Sequence, residues 1–318
     1  MRRLKMQTLD LPVVSSEPLA SVLNILRLGI IGPGSFVGSN SRQFPLRVYG
    51  GQILAQAVVA AYATFANEYK GRQIHSLTSA FVRPGDVGTP TYFSVDDILD
   101  GNSFSTRSVK ASQNGKTIFS ARASFQEVQS GPEHCRAMPE TVDPGQLESS
   151  AAFFSSLNTA PAQNMAMFNP VDLRHVDGPI WLRPQKHPQT RTQIWFRLRS
   201  PLPQQSSQLL HRAMLVYAAD QFMLEPILRA HGLFWLNPRL SPATLNHSTW
   251  WHRDVNMSDW ILADLSTPSA QGGRGLSIAE FFQNGTHIAT MAQEGMVRVK
   301  DGPRQGASDT RHAGENRK

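Results

Sequence analysis

Two polar residues interrupt apolar segments in the second half of this 318-residue chain. Asp220 stands in "LVYAADQFML", and Gln293 lies on the apolar face of the alternating segment "THIATMAQEG". Buried carboxylates are rare unless they are paired, and a buried amide without a partner costs about 1–3 kcal/mol. A carboxylate and a carboxamide can together hold and polarise a water molecule. The alternative for Gln293 is a side chain that bonds only to nearby backbone.

The first half of the chain repeats the pattern without these polar groups. Segments 113–127, "QNGKTIFSARASFQE", and 283–295, "QNGTHIATMAQEG", each open with Gln-Asn-Gly and then alternate. When the two Gln-Asn-Gly motifs are superposed and read with the strand period of two, Gln293 falls at the position of Ala123. The first apolar helix likewise carries Ala and Val where the second carries Asp220. The two polar groups therefore belong to one copy only, which favours a functional role.

A histidine opens a further repeated segment in each half. "HSLTSAFVRPGD" begins at His75 and "HSTWWHRDVNMSDW" begins at His247, so this motif recurs at nearly the same offset as the Gln-Asn-Gly motif. His75 is a candidate general base. A structural role is favoured, because His247 is expected to occupy the equivalent place in the other half.

The elements that position these residues follow from the apolar pattern. Segments 50–66, "GGQILAQAVVAAYATFA", and 211–228, "HRAMLVYAADQFMLEPIL", are apolar nearly all round, which predicts one long buried helix in each half. Each helix is followed by alternating runs separated by turn signals such as Asn-Gly. The sequence thus predicts an α+β fold, a double hotdog. Each unit is a buried helix wrapped by a curved antiparallel sheet, and the two units pair through their first strands into one continuous sheet.

The composition sets the predicted domain limits. We expect an N-terminal hotdog unit over 1–130 and a C-terminal unit over 181–300. The connecting segment over 131–180 is rich in Pro, Ser, Gln and Ala, and we expect it to be partly helical and partly irregular. The polar tail 301–318 is expected to be disordered.

Overall composition excludes several function classes. Hydrophobic residues make up 40% and charged residues 17%, as in ordinary globular proteins. The net charge of +7 is scattered rather than clustered, which argues against nucleic acid as a partner. No apolar run is long enough for a membrane span, and the N-terminus lacks the apolar region of a signal peptide. The single cysteine, Cys135, is predicted to be a structural or surface thiol in a reducing compartment.

Several motifs together resemble one enzyme family, the type II acyl-CoA thioesterases, also called TesB-like. They are "VYGGQILAQAV", "HSLTSAFVRPGD", "DGNSFSTRSVKASQNGKTIFSARASFQ", "YAADQFMLEP", "ATLNHSTWWHR" and "AQEG", and the similarity covers about residues 45–135 and 171–298. The resemblance implies a double hotdog that hydrolyses acyl-CoA to free acid and coenzyme A, with no metal and no organic cofactor. It also implies a catalytic trio of Asp220, Thr244 and Gln293. Thr244 is identified by the resemblance alone.

These residue types suit water attack on a thioester. Asp220 is expected to act as general base, while Thr244 and Gln293 hold the attacking water. The N-terminus of the first helix, Gly50-Gly51-Gln52, is predicted to supply donors to the oxyanion, because backbone amides and the helix dipole favour anions there. The alternative for Gly50 and Gly51 is close packing of the helix against a sheet.

The chain departs from the family pattern at two places. Asn246 stands where the family often has Asp, and Thr78 stands where a second His is frequent. The family also has peroxisomal members, but the sequence does not end in Ser-Lys-Leu, so a cytoplasmic location is expected, with a peroxisomal one as the alternative. A homo-oligomer, dimer or tetramer, is predicted because aromatic residues are enriched at interfaces and three tryptophans lie close together, Trp250, Trp251 and Trp260.

Three alternative functions stay open at this point. The first is a hotdog hydratase or dehydratase that acts on an acyl thioester. The second is a biosynthetic thioesterase that releases a polyketide or peptidyl thioester. The third is a non-catalytic acyl-binding module, which would not need the Asp–Thr–Gln trio.

Overall fold

The computed structural model describes residues 7–8, 11–12, 14–41, 47–69 and 71–300. Its α-helices are α1 Leu19–Leu26, α2 Gly50–Tyr62, α3 Ser150–Ser155, α4 Ala160–Phe168, α5 Gln208–Ala219 and α6 Glu225–Ala230. Its strands in the first half are β1 Gln7–Thr8, β2 Gly29–Gly32, β3 Ser35–Gly38, β4 Gln73–Phe81, β5 Thr91–Asp100, β6 Phe104–Gln113 and β7 Lys116–Gln126. Those in the second half are β8 Val171–His175, β9 Arg191–Leu198, β10 Leu240–Trp251, β11 Ile261–Gln271, β12 Arg274–Gln283 and β13 Thr286–Val299.

All thirteen strands form one antiparallel sheet. Their order is β1-β2-β3-β5-β6-β7-β4-β10-β13-β12-β11-β9-β8. Equivalent strands follow one another outward from the central pair, β4 and β10, with β1 as an extra strand on the side of the first half. The units pair through these strands, which follow the long helices, and not through their first strands as predicted. This pairing satisfies two edges that would otherwise expose their hydrogen-bonding groups. The predicted double hotdog with one continuous sheet is confirmed.

The repeated Asn-Gly pairs form the predicted hairpin turns. Asn114 and Gly115 have φ of 48° and 71°, and Asn284 and Gly285 have φ of 50° and 77°. Two successive positive φ values belong to a type I′ turn, whose twist matches that of the strands it joins. The turns therefore fix the β6–β7 and β12–β13 registers in the same way in both halves.

The first long helix is buried as predicted. Every residue of α2 from position 51 to position 61 is buried, and α2 packs against α5 and against strands β5, β6 and β7. Its alanines allow this close approach on several sides, because they add little volume beyond the backbone.

The second apolar stretch does not form one helix. The apolar pattern predicts a single helix over 211–228, but α5 ends at Ala219 and α6 begins at Glu225. Pro226 explains the break, since a proline inside a helix lacks an amide hydrogen and clashes with the carbonyl four residues earlier. Asp220 is the C-cap of α5 and so lies at a helix end rather than in the middle of a helix.

The connecting segment contains helices, as expected, and also a strand. Helices α3 and α4 lie in it, and strand β8 pairs with β9 at the edge of the sheet. The sheet of the second half therefore starts at residue 171, ten residues before the predicted domain limit of 181. The predicted disordered tail 301–318 lies outside the described residues. Among the helices of the described ranges, none has the length and apolarity to cross a membrane.

A buried ionic network joins α6 to strand β8. Glu225 accepts hydrogen bonds from Arg229 at 2.6 Å and from Trp235 at 3.3 Å, and it bonds to His175 at 3.1 Å. Glu225 and Arg229 have no exposed surface. Burial opposes ionisation of Glu225, but His175 and Arg229 outweigh it and lower its pKa to about 2. The carboxylate therefore stays charged inside the protein, balanced by its partners.

Candidate active site

The structure brings Asp220, Thr244 and Gln293 together. Asp220 follows α5, Thr244 lies on β10, and Gln293 lies on the neighbouring strand β13. The Thr244 hydroxyl donates to Asp220 Oδ1 at 3.0 Å, and Gln293 Nε2 donates to Asp220 Oδ1 at 3.1 Å and to Thr244 Oγ1 at 3.0 Å. The three polar atoms form a nearly equilateral triangle. Thr244, which no sequence pattern indicates apart from the family resemblance, completes it.

The second carboxylate oxygen of Asp220 is held by the other half of the chain. The main-chain amide of Gly51, in the first turn of α2, donates to Asp220 Oδ2 at 2.8 Å. Helix N-termini stabilise anions through free amides and the helix dipole. The N-terminus of α2 thus holds the carboxylate of Asp220, whereas its predicted role towards a substrate oxyanion stays a prediction. The Gly51 amide is engaged there, so it is not a free oxyanion donor in this structure.

Both glycines are also required by close packing. A Cβ at Gly50 would lie 2.7 Å from Asp220 Oδ2, and a Cβ at Gly51 would lie 2.5 Å from the carbonyl oxygen of Tyr217. Such distances are too short for any side chain. Gly51 is therefore required by close packing, but against helix α5 and not against a sheet as the packing alternative proposed.

The Gln52 side chain points away from the trio. It is buried, accepts from the amide of Ser41 at 2.9 Å, and donates to the Ser39 carbonyl at 3.2 Å. The side chain therefore holds the segment that precedes α2. A role of Gln52 towards substrate is left to its main-chain amide.

Burial raises the pKa of Asp220. Hydrogen bonds from Thr244, Gln293 and Gly51, together with nearby His247, oppose this rise without cancelling it. A raised carboxyl pKa brings a general base closer to the pH at which it must accept a proton. The electrostatics of the site therefore suit acid–base chemistry.

A histidine lies behind Gln293. His247 is fully buried on β10, and its Nδ1 lies 2.7 Å from Gln293 Oε1. Its Nε2 lies 2.7 Å from the hydroxyl oxygen of Thr249, which is also fully buried. The polar network of the second half therefore includes two side chains besides the trio.

His75, the other predicted histidine, is not part of this network. Its Nε2 lies 2.9 Å from Ser124 Oγ, and its ring packs edge-on against Phe104. The next residue, Ser76, pairs with Trp250, which lies about 20 Å along β10 from Thr244 at roughly 3.3 Å per residue. The structure therefore does not bring His75 to the trio, so it has no contact with Asp220, and the predicted substrate-binding role of His75 stays a prediction.

The two histidines are not equivalent. The registers of two strand pairs relate the halves directly. In β4 and β7, Ile74 pairs with Phe125 and Leu77 pairs with Ala123. At the same places in β10 and β13, Thr244 pairs with Gly295 and His247 pairs with Gln293. A β-bulge follows Ile74 and another follows Thr244, which confirms the alignment. The equivalence of His75 and His247 expected from the His-Ser motif is wrong, and the counterpart of His247 is Leu77.

The departures from the family pattern lie outside the site. Asn246 is exposed and donates to Glu294 at 2.9 Å, and Thr78 is exposed on the adjacent strand. Both residues face the outer side of the sheet, opposite the helices. The trio is therefore unaffected by either difference.

The cysteine and the three tryptophans singled out in the sequence lie outside the trio. Cys135 is exposed, as expected for a surface thiol. Trp251 is buried, Trp260 packs against the cluster of Trp195, Leu262 and Phe282, and only Trp250 is largely exposed. Within the described ranges, no group of three His, Cys, Asp or Glu side chains is arranged to hold a metal ion.

Comparison with known proteins covers both halves of the chain. A family model described as "Acyl-CoA thioesterase" matches residues 178–296, and one described as "Acyl-CoA thioesterase N-terminal domain" matches residues 40–126. The solved structure of acyl-CoA thioesterase II TesB2 from Mycobacterium marinum has 34% identity and a TM-score of 0.72. It aligns over 89% of this chain and all of that one. Similarity thus extends to sequence, fold and length.

Two curated relatives agree with these matches. Human acyl-coenzyme A thioesterase 8 is 31% identical over 295 residues, which cover 88% of this chain and 89% of that protein. Acyl-CoA thioesterase 2 of Haemophilus influenzae is 29% identical over 293 residues, which cover 90% of this chain and the whole of that protein. The chain belongs to the acyl-CoA thioesterase family.

Proposed function

We propose that this protein hydrolyses acyl-CoA thioesters to free acid and coenzyme A by direct attack of water at Asp220, Thr244 and Gln293. The observation that carries this proposal is the triangle of polar atoms, with edges of 3.0–3.1 Å, inside the second half of the chain. A water molecule placed above that triangle would lie close to its three atoms and could donate to Asp220 Oδ1 and Thr244 Oγ1.

In the proposed mechanism Asp220 accepts a proton from this water. The resulting hydroxide attacks the thioester carbonyl carbon, the C–S bond of the tetrahedral intermediate breaks, and the proton returns to the leaving thiolate. No covalent nucleophile is required, since a thiolate is a good leaving group. Thr244 and Gln293 orient the water and restrict its motion, which lowers the entropic part of the barrier.

The N-terminus of α2 supplies the oxyanion donors in this proposal. The Gly51 amide already bonds to Asp220, so the main-chain amides of Gly50 and Gln52 are the remaining candidates in the first turn. Donors fixed before the reaction stabilise developing charge without reorganisation. Asp220 and the thioester oxygen would then share one helix terminus.

Release of free thiol from short-, medium- and long-chain acyl-CoA tests the function directly. We expect wild-type turnover, and losses of about 10²–10⁴-fold in Asp220→Asn, Thr244→Ala and Gln293→Ala, each folded. Near-normal rates in any two variants would remove the assignment of the site. Loss of the enoyl absorbance of crotonyl-CoA without thiol release would instead indicate a hydratase.

We further propose a homo-oligomer, with the outer face of the central strands as the contact surface. Trp250 is 41% exposed on β10, and the neighbouring outward-facing side chains are small and polar, which suits a flat interface. Sedimentation equilibrium at micromolar concentration tests this proposal. A single species near the chain mass of 35.2 kDa would contradict it and leave the thioesterase assignment untouched.

The proposed location is the cytoplasm, with the peroxisomal lumen as the alternative. An exposed cysteine thiol, Cys135, is suited to a reducing compartment. Imaging of a fluorescent fusion in the native host distinguishes the two locations.

A further inference from the structure

His247 makes two short hydrogen bonds inside the protein. Its Nδ1 meets the side-chain oxygen of Gln293, and its Nε2 meets the hydroxyl of Thr249, each at 2.7 Å. His247 and Thr249 lie on β10, two positions apart, and therefore on the same side of the strand. Neither residue is hydrogen-bonded to Asp220 or Thr244, so the hydrogen-bonded connection from His247 and Thr249 to the site runs through Gln293.

The chemistry of these partners determines the tautomer. An amide oxygen accepts hydrogen bonds and never donates them, so His247 Nδ1 must carry the hydrogen. Burial lowers the pKa of His247, with Gln293 and Asp220 opposing the effect, and this shift favours the neutral ring. Nε2 is then an acceptor, and the Thr249 hydroxyl donates to it.

This arrangement decides how the amide of Gln293 is oriented. A flip of the amide about its Cγ–Cδ bond would turn its NH₂ group towards the Nδ1 hydrogen and its oxygen towards Asp220. That orientation opposes donor to donor and oxygen to carboxylate. The observed orientation instead directs Nε2 to Asp220 Oδ1 and Thr244 Oγ1.

The first half supports a link between His247 and the site. The counterpart of His247 is Leu77, and the counterpart of Gln293 is Ala123, so an apolar pair replaces the bonded pair. Leu77 and Ala123 have no exposed surface, which shows that this position needs no polar residue for folding. The histidine therefore accompanies the glutamine rather than the fold.

We propose that His247 and Thr249 are positioning residues that fix the amide orientation of Gln293 for catalysis. The Thr249 hydroxyl supports the tautomer protonated at Nδ1 by donating to Nε2, and His247 holds the oxygen of Gln293. Neither residue touches the substrate. The inference rests on the function proposed above, because it assigns a role relative to Gln293.

Two polar substitutions separate positioning from simple burial of a polar group. His247→Asn can place an N–H where Nδ1 lies, whereas His247→Gln places its amide near Nε2 and leaves Gln293 without its donor. We expect kcat to fall about 10–100-fold in His247→Gln with KM within about threefold, and to stay within about fivefold of wild type in His247→Asn. Thr249→Val should lose about 3–10-fold in kcat, and Thr249→Ser should restore it.

A double-mutant cycle distinguishes failure of this inference from failure of the proposed function. If His247 acts through Gln293, adding His247→Gln to Gln293→Ala causes no further loss, although the separate losses would otherwise multiply. Multiplying losses, or equal rates in the Asn and Gln variants, would overturn the positioning role. Full activity of Gln293→Ala would instead overturn the proposed site.

The wild-type protein offers a test that does not depend on any variant. Two-bond ¹⁵N–¹H spectra of the imidazole should show a neutral ring protonated at Nδ1 from about pH 6 to about pH 8, a range that includes the ordinary histidine pKa of about 6.5. A ring protonated at Nε2, or one that titrates within this range, would contradict the inference whatever the kinetic results.

Discussion

The inner surfaces of β4 with β7 and of β10 with β13 share one backbone and differ in chemistry. At three matched positions, the pair β4 and β7 has Ile74, Leu77 and Ala123. The pair β10 and β13 has Thr244, His247 and Gln293 at the same positions. The bulge and the Asn-Gly turn are at the same places in both. A hydroxyl, an imidazole and a carboxamide thus replace apolar side chains without any change of scaffold.

The surroundings of the two places differ as well. Beside Ile74 lies a cavity of about 200 Å³, bordered by the N-terminus of α5 and by two buried arginines, Arg72 and Arg212. Arg212 donates to the carbonyl of Ile74 at 2.6 Å. The N-terminus of α5 is therefore close to two cationic side chains, whereas the N-terminus of α2 is close to the carboxylate of Asp220. The comparison shows that, of the two equivalent strand pairs, β4 with β7 is apolar at these positions and β10 with β13 carries the reactive groups.

Removal of the charge of Glu225 tests whether every buried polar group of the second half serves the chemistry. Glu225→Gln leaves buried Arg229 without its carboxylate, and we expect a loss of about 3–5 kcal/mol in the free energy of unfolding at neutral pH. Denaturant unfolding measures this loss, and kcat per folded molecule should stay unchanged.

The pH dependence of this loss has a definite sign. The pKa of Glu225 is lowered to about 2 in the folded protein, so its stabilisation is present above the unfolded value of about 4.3 and is lost as pH falls towards 2. The difference between wild type and Glu225→Gln should therefore shrink over that range. A matched control is Glu127→Gln, whose half-exposed ion pair with Arg72 should contribute less than about 1 kcal/mol. Equal losses in both variants would contradict the expectation.

A substitution that crowds the carboxylate of Asp220 tests how closely the N-terminus of α2 holds it. A methyl group at Gly50 would lie 2.7 Å from Asp220 Oδ2 and must displace it. We expect Gly50→Ala to lower kcat about 10²-fold, because displacements of about 1 Å have effects of that size. Gly71→Ala borders the first-half cavity, and a Cβ there meets no atom within 4 Å, so it should behave as wild type. Steady-state kinetics of Gly50→Ala and Gly71→Ala measures the difference. Equal rates in the two variants would contradict the idea that the position of the Asp220 carboxylate must be fixed.

The acidic limb of the pH–rate profile reports the state of Asp220. Because burial raises its pKa, kcat/KM should fall as pH decreases through a value above the usual carboxyl range of about 4. The Thr244 hydrogen bond opposes that rise, so Thr244→Val should move the limb to higher pH. Residual thiol release measured from about pH 4.5 to about pH 9 tests the direction, and a limb that moves to lower pH would exclude Asp220 as the titrating group.

The smallest effect is expected when the first half receives one polar group. Ala123→Gln places an amide opposite Leu77, with Ile74 instead of a hydroxyl nearby. We expect a loss of about 1–3 kcal/mol in stability from the buried amide and no new activity. The double variant with Asp220→Asn should have the same residual rate as Asp220→Asn alone. A higher rate in the double variant would show that β4 and β7 can form a second active site.

Much of the fold can be predicted because its signals are local. The Asn-Gly turns, the alternating strands and the apolar helix at 50–66 each depend on residues close in sequence. The break between α5 and α6 is also readable from Pro226, but the continuous apolar pattern outweighs that signal. Strand β8 escapes prediction because it is short and lies in a segment rich in turn-forming residues.

The site can be predicted only in part, because its contacts depend on register and on packing between halves. Asp220 and Gln293 are visible as polar residues on apolar surfaces. The role of His247 is hidden because the His-Ser motifs suggest a slightly longer offset between the halves than the one the hairpin registers show. Alignment from the Gln-Asn-Gly turns places this histidine opposite Leu77. The bond from Gly51 to Asp220 follows from how α2 packs on α5, which no local pattern specifies.

The central pair of strands has a consequence for how the chain folds. The bonds that join the halves connect residues far apart in sequence: Ser79 and His247 are 168 residues apart, and Gly51 and Asp220 are 169 residues apart. Contacts of such separation form late, since long loops must close first. During synthesis β4 is therefore an unprotected sheet edge until β10 has been made, and such edges promote aggregation. On refolding, enzymatic activity should return after secondary structure, because the reactive carboxylate has its amide partner only when the two halves have met.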